Sequence, residues 1–260
     1  MGENDFAARG WVKFAAEPAM LEWVAAARRS ALAAMDDPAN KDWWRCGGTW
    51  FVGVDALPND ADGRVGNGPA LSGAAVDFIQ HTLKLPHIAS HRAQVSVCLP
   101  GYPKRGADES ESQHNFRSRR DSAHVDGLHG EGNPKRRHLR EYHDFILGIA
   151  LDDGDEGAAP FVIWEGSHVV MQQMFRDQLR DLPPENWGEI DLTDAYSAAR
   201  ARVFETCRRV VIPARAGEAY VAHRFSLHGV APWNESPLTQ RAIVYFRPEG
   251  SAREAWLTAP

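Results

Sequence analysis

Strand-like and helix-like segments are segregated along this chain rather than alternated, and that arrangement excludes more folds than any other feature. From residue 92 onward, strand-length runs dominate. They cover residues 94–99, where polar and apolar residues alternate, then 142–151, 161–164, 209–212, 218–222, 227–230 and 241–246. Helical spacing gathers in the first third and in one insertion. Residues 18–35 repeat Met20, Leu21, Val24, Ala25, Ala31 and Leu32 between a first-turn Pro18 and the stop Asp36-Asp37-Pro38. Residues 71–85 form a second helical segment that ends at Pro86. Within the strand-rich part, 166–182 and 193–208 read as helices separated by Pro183-Pro184. Residues 10–14 and 43–54 read as extended, 104–143 mostly as loop, and 152–159 as an acidic turn. A parallel nucleotide-binding sheet needs alternating strands and helices, so this pattern predicts a mostly β fold instead, a curled antiparallel sheet or sandwich with flanking helices.

A chain of 260 residues with 43% hydrophobic residues can fill a large core as a single domain. The net charge of −6 argues against nucleic acid as a partner. The longest apolar stretch, 145–151, is strand-sized, so no membrane span is expected. The opening MGENDFAARG lacks the layout of a signal peptide. The three cysteines, Cys46, Cys98 and Cys207, form no CxxC pair, which fits a reducing cytoplasm better than a disulfide or zinc-thiolate framework.

Three features carry candidate chemistry. In His124-Val125-Asp126, residues i and i+2 of an extended segment point to one side, so an imidazole and a carboxylate can share one metal ion. A later histidine then completes the two-histidine, one-carboxylate facial triad of non-haem iron(II) oxygenases. His228, in Ser226-Leu-His-Gly, is one candidate and His223, in Tyr220-Val-Ala-His-Arg, is another. Arg241 opens the last strand, and its planar guanidinium can grip a carboxylate through two hydrogen bonds. Between the two halves lies Trp164-Glu-Gly-Ser-His168, where Gly166 permits a turn and Ser167 is a candidate helix cap. Taken alone, each has an ordinary reading: a loop histidine beside a solvated acid, an edge-strand arginine, a capped helix.

In this order the motifs resemble the phytanoyl-CoA dioxygenase-like family of iron(II)/2-oxoglutarate oxygenases. The resembling residues are His124-Val-Asp126, Trp164-Glu-Gly-Ser-His168, Gly217-Glu through His228-Gly, Asn234-Glu-Ser236 and Arg241. The family's middle motif usually reads Pro-Gly-Ser-His, so Glu165 departs from it. The likeness is best over 92–247. It implies a double-stranded β-helix (jelly-roll) core there, with a helical insertion at about 166–208 and a supporting region at 1–91. It also implies His124, Asp126 and His228 as ligands of Fe(II), and Arg241 as the anchor of the cosubstrate 2-oxoglutarate, with O2 as co-reactant. His228 is preferred to His223 because the family's distal histidine precedes the Asn-x-Ser segment. The retained Asp126 implies hydroxylation or a related oxidation, since the halogenating subfamily lacks that carboxylate. Gln94 shares a strand face with Ser96 and Cys98 and is a candidate second contact to 2-oxoglutarate, or simply part of a half-buried polar face.

The basic residues Arg117, Arg119, Arg120, Lys135, Arg136, Arg137 and Arg140 flank the first motif. They either steer an anionic small-molecule substrate or form a solvated loop with the interspersed acids. Two rival functions are a cupin-type metalloenzyme that does not use 2-oxoglutarate and a catalytically silent jelly-roll binding protein.

Overall fold

A computed structural model describes residues 3–250 and 253–258; the opening Met1-Gly2 lies outside them. In chain order the elements begin with α1 (Glu3–Arg9), β1 (Trp11–Phe14), α2 (Pro18–Asp36), β2 (Trp44–Arg45), β3 (Trp50–Gly53), α3 (Ala74–Asp77) and β4 (Gln94–Cys98). Then come α4 (Glu111–Arg119), β5 (Leu128–Glu131), β6 (Arg136–Leu139), β7 (Phe145–Ala150), β8 (Phe161–Trp164), α5 (Ser167–Leu179) and α6 (Thr193–Thr206). The chain closes through β9 (Arg209–Ile212), β10 (Ala219–His223), β11 (His228–Val230), β12 (Arg241–Phe246) and α7 (Arg253–Trp256).

Two antiparallel sheets face each other. The larger runs β1-β10-β7-β12-β4-β3-β2 and the smaller β11-β8-β9. The central strands β7 (FILGIA) and β12 (RAIVYF) are buried at every position because both faces of the larger sheet are covered. On its outer face Val95, Val97, Leu147, Ile149, Val221 and Val244 pack against Trp23, Val24 and Ala27 of α2. On its inner face Ile146, Tyr220, Ile243 and Tyr245 meet Phe161, Ile163 and Ile212 of the smaller sheet. The back of the smaller sheet is sealed by Met171, Phe175 and Leu179 of α5 and by Tyr196 and Val203 of α6, packed with Val162, Trp164, Phe225 and Leu227. The four layers are helix, sheet, sheet, helix, and the site lies between the two sheets.

One glycine sets the spacing of the inner layer. A Cβ at Gly148 would overlap the ring of Tyr220 across the β7–β10 pairing. Tyr220 therefore lies flat over the sheet and stacks on Phe161, with centroids 4.6 Å apart.

Several local expectations are corrected. Residues 104–143 are mostly loop, as expected, but they also hold α4, whose Ser110 and Gln113 form a reciprocal capping box, and the β5–β6 hairpin. The helical expectation over 71–85 is met only by α3 and a π-helical turn, Phe78–Thr82. The extended segment 43–54 is broken by Gly47 and Gly48, both at positive φ. Among the described residues no helix is long and apolar enough to cross a membrane.

Candidate metal centre

His124 lies on a short extended stretch that pairs with the first residue of β11. His124 N–H donates to His228 O (2.8 Å) and His228 N–H donates to His124 O (3.0 Å). The two histidines are thus directly opposite, with ring centroids 4.6 Å apart. The approach depends on Gly229, where a Cβ would overlap the carbonyl of Asp121. Asp121 and Ser122 both adopt positive φ, and the Asp121 carboxylate is held by both Nε and Nη2 of Arg209 (2.7 and 2.8 Å). That clamp secures the backward turn leading into His124.

The two imidazoles are oriented in the same way. His124 Nδ1 lies 2.8 Å from Ser122 O, and His228 Nδ1 lies 3.0 Å from Ser226 O. A carbonyl only accepts, so each Nδ1 carries the proton and each Nε2 presents its lone pair to the cleft. Both Nε2 atoms converge on Asp126 Oδ1, at 3.3 Å from His124 and 3.7 Å from His228. Ligand atoms of these three residues all lie within 4.8 Å of one another, and they are the one group of three such residues so placed among the described residues. Donors bound at right angles to one ion of this size are about 3 Å apart, so the arrangement fits a facial set with little adjustment. Burial, together with the neighbouring His124 and Arg247, lowers His228 to about 4 against the pull of Asp126, so its ring is neutral at pH 7. Burial alone would raise Asp126. The Arg247 guanidinium outweighs it and holds the carboxyl well below its usual range. The side chain of His124 is 43% exposed, whereas those of Asp126 and His228 are nearly enclosed, so the open side of the triad is the His124 side.

The triad opens into a cleft of about 670 Å³, continuous with solvent, lined among others by Trp50, Val52, Ser96, Tyr102, Phe161 and Tyr245. Arg241, the first residue of β12, does not line it. Its side chain is enclosed, with Nε donating to Ala159 O (2.9 Å) and Nη2 set 3.5 Å from Cys98 Sγ. Nη1 is buried without a partner, as is the hydroxyl of Tyr102. Arg241, Ile243, Tyr245 and Arg247 share one strand face, and the last of these lines the cleft at the triad end.

Arg247 is the residue that sequence reasoning passed over. Its Nη1 sits 3.1 Å from Asp126 Oδ2, an ion-pair distance without hydrogen-bond alignment, and its Nη2 donates to Gln94 Oε1. Gln94 therefore lines the cleft at the carboxylate end and reaches Arg247 rather than Arg241. The available signal was spacing: Arg247 follows Arg241 by an even number of residues along the same face.

His223 stands apart from the triad. Its Nδ1 accepts from Phe225 N–H (3.1 Å), and its ring packs near those of Phe6 and His168. His168 Nε2 lies 3.0 Å from Ala7 O. Ser167 is the first residue of α5 rather than its cap. Its Oγ accepts from Leu227 N–H (2.9 Å), tethering the residue just before His228. Glu165 accepts from Arg9 and Trp11 through Oε1 and from Arg208 through Oε2, fastening the N-terminal strand to the smaller sheet.

No protein-family model and no curated protein matches this chain by sequence. Solved structures do match it in fold. SnoK, a non-heme alpha-ketoglutarate-dependent carbocyclase from nogalamycin biosynthesis, aligns with 95% of this chain and 84% of its own at a TM-score of 0.51 and 12% identity. AviO1 from Streptomyces viridochromogenes Tue57 aligns with 96% of this chain and 94% of its own at a TM-score of 0.50 and 14% identity. At these identities the likeness is one of fold: a sheet-rich architecture with antiparallel sheets and flanking helices, shared with an enzyme of the 2-oxoglutarate-dependent class.

Proposed function

We propose that this chain is a non-haem Fe(II)- and 2-oxoglutarate-dependent oxygenase of the phytanoyl-CoA dioxygenase-like kind, hydroxylating or otherwise oxidising a small molecule. The observation that carries the reading is the convergence of two carbonyl-oriented Nε2 atoms on one carboxylate oxygen inside a cleft. His124, Asp126 and His228 would hold the metal. The unpartnered Nη1 of Arg241 and the unpartnered hydroxyl of Tyr102 are complementary to the far carboxylate of 2-oxoglutarate. When bound, the iron with 2-oxoglutarate and O2 supplies the oxidising power. The protein's own residues orient and exclude. Ser122 O and Ser226 O fix the tautomers of the two histidines. Phe161, stacked on His228 at 5.4 Å, shields the distal ligand from water.

The same reading takes residues 1–260 as one domain. The double-stranded β-helix spans 92–247, with strand order β4-β12-β7-β10 in one wall and β11-β8-β9, extended by the His124 stretch, in the other. Residues 1–91 support it, and 166–208 form a helical insertion. A cytoplasmic location accompanies this reading.

Anaerobic titration tests it. Iron(II) followed by 2-oxoglutarate is expected to give a weak visible charge-transfer band, lost in His228→Ala and retained in His223→Ala. Stoichiometric metal binding without the band would favour a cupin-type enzyme. No metal binding at all would leave a silent binding fold.

A further inference from the structure

We infer that Arg247 is a positioning residue that holds Asp126 to a single donor oxygen, with Gln94 as its brace. The inference rests on the metal-centre reading above. Asp126 has two oxygens with different surroundings: Oδ1 faces both imidazoles, while Oδ2 faces the guanidinium of Arg247 at 3.1 Å. A carboxylate free to rotate could offer both oxygens to a metal and so take up an additional coordination position. With Oδ2 engaged by a cation, one oxygen would remain for the ion, leaving room at the metal for cosubstrate and oxygen.

Arg247 is itself constrained at both ends. Its Nη2 donates to Gln94 Oε1, and its backbone carbonyl is the partner of His143 Nδ1 at 2.8 Å. His143 Nε2 in turn faces Glu141 Oε2 at 2.9 Å. The chain Glu141–His143–Arg247 therefore sets where the guanidinium stands, and Gln94 sets how it is turned. Gln94 lies opposite Tyr245 on β4, two residues before Arg247 on the neighbouring strand, which is why its amide can reach. Burial by itself would weaken the charge on Arg247, and Asp126 more than restores it.

The test uses the metal-free protein loaded with Co(II), whose visible spectrum reports coordination number, with affinity measured by calorimetry. Arg247→Met is expected to tighten Co(II) binding about 10-fold, because it removes a positive charge beside the site and frees the second oxygen of Asp126 to donate. It is also expected to shift the visible bands toward higher coordination, and Arg247→Lys should restore much of both. Gln94→Leu leaves the ion pair in place and should give a smaller change in the same direction, so it serves if Arg247→Met fails to fold by circular dichroism. Wild-type affinity and bands in folded Arg247→Met, or in Gln94→Leu where Arg247→Met does not fold, would overturn the role while leaving the metal centre standing. Wild-type protein that takes up no Co(II) would overturn the metal-centre reading itself, and the role with it.

Discussion

Ser167→Ala separates two accounts of the Trp-Glu-Gly-Ser-His segment. As a cap, Ser167 would serve its own helix. In the structure it serves the strand of His228 instead, accepting from Leu227 N–H at 2.9 Å in a site where both residues are fully buried. Removing the hydroxyl leaves a buried backbone N–H without a partner, a loss of about 1–3 kcal/mol. For a chain of this size that corresponds to a fall in melting temperature of roughly 2–12 °C, at about 2–4 °C per kcal/mol. The assay is thermal unfolding by circular dichroism, with Ser167→Asp measured beside it. Aspartate is a good helix cap, so the cap account predicts that it is tolerated. The tether account predicts that it is worse than alanine, because a charge would then be buried beside Leu227. Ser167→Asp as stable as wild type, or Ser167→Ala melting within a degree of it, would refute the tether.

Gly148→Ala should push Tyr220 off the sheet and disturb the stack through Phe161 to His228, costing about 1–3 kcal/mol as an overpacked core does; calorimetric unfolding and Co(II) affinity should fall together. Arg241→Leu should weaken 2-oxoglutarate binding by about 2–5 kcal/mol while metal affinity measured without cosubstrate stays unchanged, since the residue lies away from the triad. Burial lowers His168 and, more strongly, His223, so the fold keeps both rings neutral. The unfolded chain takes up these protons near pH 6.5, so stability is full above that pH and declines as pH falls toward the folded-state values. Melting temperature should therefore drop between pH 7.5 and 5.5, and His223→Leu should flatten the slope; a level profile in wild type would count against it.

The parts of the fold that were legible in the sequence are those whose burial is periodic. α2 and the strands β4, β7, β8 and β12 emerge close to their expected bounds, since each buries a continuous run or one regular face. The illegible parts lack that signal. α4 buries no residue, so its sequence carries no apolar stripe and only the Ser110-x-x-Gln113 cap could have marked it. The β5–β6 hairpin is mostly exposed and shows no alternation. In the site, His124 and Asp126 were readable because i, i+2 spacing in extended backbone fixes direction locally. Local spacing does not mark Ser167 as a tether, since its partner is sixty residues away, nor Arg247, whose partners Asp126 and Gln94 are both distant in the chain.

Proximity in sequence also misleads about charge. The arginines around the first motif look like a positive mouth, yet most have local partners in the fold. Arg117 pairs with Glu109, Arg136 with Asp191, and Arg140 with both oxygens of Glu131. Arg120 lies over the ring of Phe204 and Arg137 over that of Tyr196. Such surface pairs contribute little to stability, and salt screens what field remains within about 10 Å. Inside the cleft the charges of Asp126 and Arg247 oppose each other. Among the described residues, the buried guanidinium nitrogen without a partner belongs to Arg241. On the proposed reading, a dianionic cosubstrate would reach its charge complement deep in the fold, where the attraction is least screened, and the loops at the rim need supply none of it.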